Sequence, residues 1–195
     1  GTRCVAKILF DENNEKETLK ILSDAGTLIA KKAGDEISVN MGRMTTDWKK
    51  IPLSEEMDPL NIPIKVEGFD RGVAVNIGNP HVVFFGKSIE NINLNQIGPK
   101  IEKHNFFPNK TNVEFIEILN SNTIKMKVWE RGAGVTLACG SGACAAVYAG
   151  WKKKLIESSA EVQLERGSLH INIINEEAIM TGPAEISYNG NIQIK

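Results

Sequence analysis

Three short matches recur along the chain at nearly one offset. Gly1, Gly26-Thr27-Leu28 and Ile37 are echoed by Gly142, Gly167-Ser168-Leu169 and Ile179, at offsets of 141, 141 and 142 residues. In each copy a glycine-led helix containing an alanine and a cysteine precedes two segments whose apolar residues alternate with period two. These are residues 26–31 and 36–41 in the first copy, 168–174 and 178–180 in the second, and Gly42 and Gly182 close them. Three matches at almost one offset point to duplicated lobes related by a pseudo-two-fold axis.

The run Glu130-Arg131-Gly132-Ala133-Gly134-Val135-Thr136-Leu137-Ala138-Cys139-Gly140-Ser141-Gly142-Ala143-Cys144 carries the chemistry. Ala143, Cys144, Ala146, Val147, Ala149 and Trp151 predict a helix over 141–153 with a continuous apolar face, begun by Gly140, Ser141 and Gly142. Cys139 then stands at the helix N-terminus, where unpaired N–H groups and the macrodipole stabilise a thiolate; such a thiol can sit well below the usual pKa of ~8.5. Without bulky side chains at Gly140 and Gly142, the amides there can also approach a carboxylate or phosphate closely. The bland alternative is that Cys139 is a small buried apolar residue, as most free cysteines are, although the flanking glycines and the Glu130-Arg131 pair are poor core material. Cys144, among alanines, reads as packing.

Composition narrows the function classes. A chain of 195 residues, 42% apolar and with net charge −1, suits one large domain or two small lobes and offers nucleic acid no basic surface. Lys152, Lys153 and Lys154 form a basic run at a helix end, where they cap its negative pole. No stretch is long and apolar enough to span a membrane as a helix. Three cysteines without metal-ligand spacing argue against a disulfide scaffold and for a reducing cytoplasm. His81, His104 and His170 are too scattered for a zinc motif, and the last two read as ordinary surface or edge residues. Residues 1–10 read as a helix without a cap or leader, so an upstream segment is expected. Projecting Cys139 back by the repeat offset lands three residues before Gly1, which places a second thiol in that segment. Two thiols at opposed helix N-termini, with a carboxylate held between them, can take a proton from one face of a carbon and deliver one to the other. Such a pair inverts a stereocentre.

Several motifs in order then resemble the diaminopimelate epimerase family. The run from Glu130 to Gly142 is similar to its second active-site motif, and Asn76-Ile77-Gly78-Asn79-Pro80-His81 to its central one. Thr111-Asn112-Val113-Glu114-Phe115 and Thr181-Gly182-Pro183-Ala184 match two further signatures, and Gly1-Thr2-Arg3-Cys4 resembles the tail of the first cysteine motif. The resemblance implies that Cys139 is one of two catalytic cysteines and that the amides of Gly140 and Ser141 hold the substrate α-carboxylate. It implies that Asn79, Asn112, Glu130 and Arg131 read the distal amino-acid end, and that His81 and Glu130 assist proton movement beside the thiols. The residue types agree: an Arg fork suits a second carboxylate, Glu an ammonium and Asn either. Taken singly, each also reads as a solvated charge or a turn residue.

The implied fold is α/β (α+β): two pseudo-symmetric lobes, each a mostly antiparallel barrel-like sheet around a central helix, the first incomplete within this chain. Residues 1–47, with a return strand over 184–195, make the remainder of the first lobe, and 48–183 the second. Residues 11–17 read as a polar turn, 18–23 as a strand, and 48–63, rich in proline, as the lobe connection. Strands are expected over 71–76, 81–85, 112–119 and 123–130, and a helix over 94–104. The implied activity is cofactor-independent conversion of LL- to meso-2,6-diaminopimelate, in lysine and peptidoglycan precursor biosynthesis, by a cytoplasmic homodimer with Tyr188 at its contact and with no metal. Residues 1–195 alone, with one catalytic thiol, are expected to be inactive. Two alternatives stand beside this: a proline or hydroxyproline racemase, against which Arg131 argues, and a lobe that only binds a small anionic amino acid at Gly140 and Ser141.

Overall fold

The computed structural model describes residues 1–23 and 26–193; residues 24–25 and 194–195 lie outside the described set. The chain forms two compact units, Gly1–Val39 with Thr181–Lys195, and Asn40–Met180. In the first, helix α1 (Thr2–Glu12) buries Ala6 and Phe10, one turn apart on a single face. It runs into the segment expected to be a polar turn, because Lys7 reaches Asp11 at 2.6 Å across one helical turn. Strands β1 (Thr18–Ser23) and β2 (Gly26–Ala33) pair antiparallel, and the Lys32 ammonium stands 5.5 Å from the Phe10 ring centroid. Strand β3 (Glu36–Arg43) carries the chain through the boundary at Val39 and Asn40.

The expected return strand over 184–195 is absent among the described residues 184–193, and residues 194–195 fall outside them. Asn189-Gly190-Asn191 interrupt the alternation that a strand needs. Tyr188 is 85% exposed there.

The second unit holds strands β4 (Val73–Asn76), β5 (Pro80–Gly86), β6 (Asn112–Asn120), β7 (Thr123–Glu130), β8 (Gly134–Thr136), β9 (Ser159–Leu164), β10 (Gly167–Ile174) and most of β11 (Glu177–Gly182). Helix α2 (Leu94–Glu102) precedes β6, and helix α3 (Gly140–Lys152) follows β8. The strand order is β11-β10-β9-β7-β6-β5-β4 with β8 beside β7; β5 with β6 and β7 with β9 run parallel, and the other recorded pairs antiparallel. Neither β8 nor β9 is expected from the sequence.

Period-two alternation sorts this sheet into two cores. Val73, Val75, Val83, Phe85, Ile116, Met126 and Val128 pack with α3, whereas Ala74, Val82, Phe84, Val113 and Phe115 pack with Leu94 and Ile101 of α2. Phe115 stacks on Phe84 with ring centroids 5.4 Å apart and takes Phe69 edge-on at 5.0 Å. Helix α3 is buried on every side from Gly142 to Gly150, so its apolar face is the whole helix. Lysines at its end do more than cap it: Lys152 bonds Glu176 at 2.8 Å, and Lys153 reaches the Asn61 side-chain oxygen at 3.2 Å.

Candidate active site

The side chains of His81, Asn112, Glu114 and Glu130 share the sheet face of α3, because each is an even number of residues from a neighbour packed there. His81 pairs in register with Asn112 and Val83 with Glu114, while Glu130 lies two beyond Val128. Cys139 is the N-cap of α3, extended at φ −139° and ψ 110°, and its Sγ accepts from the Gly142 N–H at 3.4 Å. Ser141 Oγ stands 3.5 Å from the same sulfur. As first-turn groups, the N–H of Gly140 and that of Ser141 have no intrahelical acceptor. A Cβ on Gly140 would lie 2.9 Å from Met180 Sδ, and one on Gly142 would lie 2.8 Å from Glu114 Oε1 and 3.2 Å from Cys139 Sγ. A side chain at Gly140 would press on Met180 and one at Gly142 on Glu114 and Cys139, so the two glycines let this helix start sit close to the sheet.

The lowered pKa that a helix N-terminus can give does not arise at Cys139 in the unliganded site. This residue is 6% exposed, and burial, reinforced by the negative charge of Glu114, pushes its pKa up to about 12. Hydrogen bonds from Ser141 and the Gly142 amide act in the opposite direction, and Glu130 adds to the rise. The helix terminus is present, but the loss of water outweighs it.

Asn79, His81 and Glu114 form one chain of contacts. His81 Nδ1 is 2.7 Å from Glu114 Oε1, and Nε2 is 3.0 Å from Asn79 Oδ1, so both ring nitrogens are engaged. His81 and Glu114 are wholly buried, and Glu114 Oε2 has no hydrogen-bond partner among the described residues. Burial raises the Glu114 pKa, opposed by the charge and hydrogen bond of His81. Sequence reasoning included Glu114 in a motif but gave it no role; a glutamate among Asn112, Val113 and Phe115 on a buried strand was the available signal.

Asn112 braces two motifs. Its Nδ2 donates to Pro80 O at 2.8 Å, and its Oδ1 accepts from the Arg131 N–H at 2.9 Å. Glu102, also missed, is 4% exposed and accepts from Trp129 Nε1 at 2.8 Å and from the Gly132 N–H at 3.0 Å. Together these acceptors fix the turn after β7, with Gly132 at φ +79°. Arg131 is thereby presented at the surface, with Nη1 donating to Asn109 O at 3.2 Å, while Thr136 Oγ1 donates to Glu130 Oε1 at 2.5 Å. Tyr188 lies in the other unit.

A model of the family described as diaminopimelate epimerase matches residues 73–187. A diaminopimelate epimerase of Pelagibacter ubique is 41% identical over 203 residues, covering 100% of this chain and 73% of that protein. One from Carboxydothermus hydrogenoformans is 44% identical, covering 96% of this chain and 70% of its own length. Among solved structures, a phenazine biosynthesis PhzF family protein of Enterococcus faecalis superposes with TM-score 0.69 at 17% identity, over 99% of this chain and 72% of that one. A hydroxyproline epimerase of Agrobacterium vitis does so with TM-score 0.61 at 14% identity, over 92% and 60%. These two likenesses concern the fold, which is the mixed α/β fold that the motifs imply.

Proposed function

The chain belongs to the diaminopimelate epimerase family, a family of isomerases, and on that premise we propose that it interconverts LL- and meso-2,6-diaminopimelate by a two-thiol proton transfer. The observation that carries this reading is Cys139 at the N-cap of α3, its sulfur beside the first-turn amides of a fully packed helix. Those amides suit the α-carboxylate, which a helix N-terminus binds through N–H groups and dipole. Bound there, the substrate presents its α-carbon to the sulfur. A thiolate on one face removes the α-proton as the C–H bond breaks, and a thiol on the other gives up its S–H proton as the new C–H bond forms. Each thiol changes charge once per turnover, and no pyridoxal phosphate or metal enters the scheme.

Asn79, Glu130 and Arg131 read the distal amino-acid group, Arg131 through a bidentate fork to the second carboxylate. Asn112 holds the Arg131 backbone at 2.9 Å, so it serves that end of the substrate by bracing as well as by contact. The second thiol comes from the position that the 141-residue repeat projects ahead of Gly1. Lysine and peptidoglycan precursor synthesis, a cytoplasmic setting and a homodimer contact at Tyr188 belong to the same reading.

The test is to follow meso product from LL-diaminopimelate by chiral chromatography with the full-length protein. Turnover in the wild type and none in Cys139→Ser is the expected result. Undiminished turnover in Cys139→Ser contradicts the reading.

A further inference from the structure

The turn after β7 is held by two side chains that lie outside it. Asn112 Oδ1, at the start of β6, accepts from the Arg131 N–H at 2.9 Å, which fixes the peptide plane before Arg131. Glu102 Oε1, at the end of α2, accepts from the Gly132 N–H at 3.0 Å, which fixes the plane after it. A residue has only two soft backbone dihedrals, so holding both flanking planes sets the direction in which the Arg131 side chain leaves the chain. The Ala133 N–H closes the turn on Glu130 O at 3.1 Å. Arg131 is exposed, with its guanidinium resting on Asn109 O at 3.2 Å, so its aim comes from the backbone beneath it.

Glu102 is an unfavourable residue for its place. A carboxylate in the last turn of a helix meets the negative pole of the macrodipole, and burial removes the water that would solvate it. Packing alone would be met by an apolar side chain, since Ile97 and Ile101 of the same helix share one core with Trp129. Both carboxyl oxygens are instead engaged by donors from beyond the helix, Oε1 by Gly132 and Oε2 by Trp129 Nε1 at 2.8 Å. The second bond keeps the carboxyl from turning away from the first. We propose that Glu102 is a positioning residue for substrate recognition: it holds the Gly132 amide so that Arg131 presents its fork to the distal carboxylate of the substrate. The proposal rests on the reading of Arg131 as the group that takes that carboxylate. A bidentate fork is directional and depends on such aim, whereas the point charge of a lysine does not.

The experiment is steady-state turnover of LL-diaminopimelate by the full-length protein in Glu102→Gln, Arg131→Lys and the double variant. Glu102→Gln keeps the shape, but an amide has one accepting oxygen and sets its NH2 against the second donor. KM should rise about tenfold with kcat within about twofold of wild type, the mark of weakened binding that ground and transition states share. In the Arg131→Lys background, where no fork is left to aim, the same change should move KM by less than about threefold. If Glu102→Gln does not fold, Glu102→Asp, which keeps the charge but is too short to meet both donors, takes its place with the same expectations. A KM within about twofold of wild type in the single Glu102 variant, or effects that multiply in the double variant, overturns the proposal. An unchanged KM in Arg131→Lys alone instead overturns the distal reading on which it rests.

Discussion

Glu114 Oε1 and His81 Nδ1 lie 2.7 Å apart with neither side chain exposed, an acid and a base joined inside the sheet that faces α3. Removing one partner leaves the other buried and unsatisfied. His81→Ala should therefore lower unfolding stability by about 3 kcal/mol, the sum of a lost buried hydrogen bond and a small cavity. Urea unfolding measures it; a loss below about 1 kcal/mol at unchanged slope would show the pair to be weakly coupled.

Thiol chemistry should follow exposure and charge rather than helix position. Cys4 is exposed, Cys144 is buried in α3, and Cys139 has its pKa pushed up to about 12. At pH 7.5 iodoacetamide should modify Cys4 first, Cys139 slowly and Cys144 least, as the peptide masses will report. Labelling of Cys139 ahead of Cys4 would mean that the thiol is activated without substrate.

Acid should weaken the turn between β10 and β11. Lys152 and Arg43 hold Glu176 at a pKa of about 2, below its ordinary 4.5. A depressed folded-state pKa contributes stability that is present above 4.5 and lost as pH falls toward 2. Between pH 5 and pH 2 the melting temperature of wild type should fall further than that of Glu176→Gln, the difference being small because the groups are solvated. Parallel curves would remove the ion pairs from the account.

Distal recognition makes a separate prediction. Arg131→Lys keeps the charge but loses the fork, so kcat/KM for diaminopimelate should fall by the equivalent of about 1–3 kcal/mol. An unchanged value would move distal recognition to other residues.

The repeat made much of the fold legible. It extends beyond the matched residues: adding 141 to β1 (Thr18–Ser23) gives Ser159–Leu164, which is β9, and Thr18 opposite Lys31 becomes Ser159 opposite Asn172. Applying the offset to that strand would have located β9, whose Glu161 and Gln163 disguise a buried Ala160 and Val162. Strand β8 is three residues within a glycine-rich run, too short for any alternation. The residues meeting around Cys139 were legible as types at motif positions. Their electrostatics were not, because the thiol's pKa depends on how deeply Gly142 lets the helix settle against Glu114, a matter of packing. Glu102 escaped notice for a related reason: its acceptors serve backbone and indole donors that only the folded turn brings together.

The central claim is that Cys139 exchanges a proton with one face of the substrate α-carbon while a second thiol serves the other. The most direct measurement is turnover of LL-diaminopimelate by the full-length protein in deuterium oxide, with mass and configuration of the product read together. The two-thiol account predicts meso product carrying one solvent deuterium at the inverted carbon from wild type, and no meso product from Cys139→Ala. Meso product that keeps its original hydrogen, or meso product formed at the wild-type rate by Cys139→Ala, would contradict it.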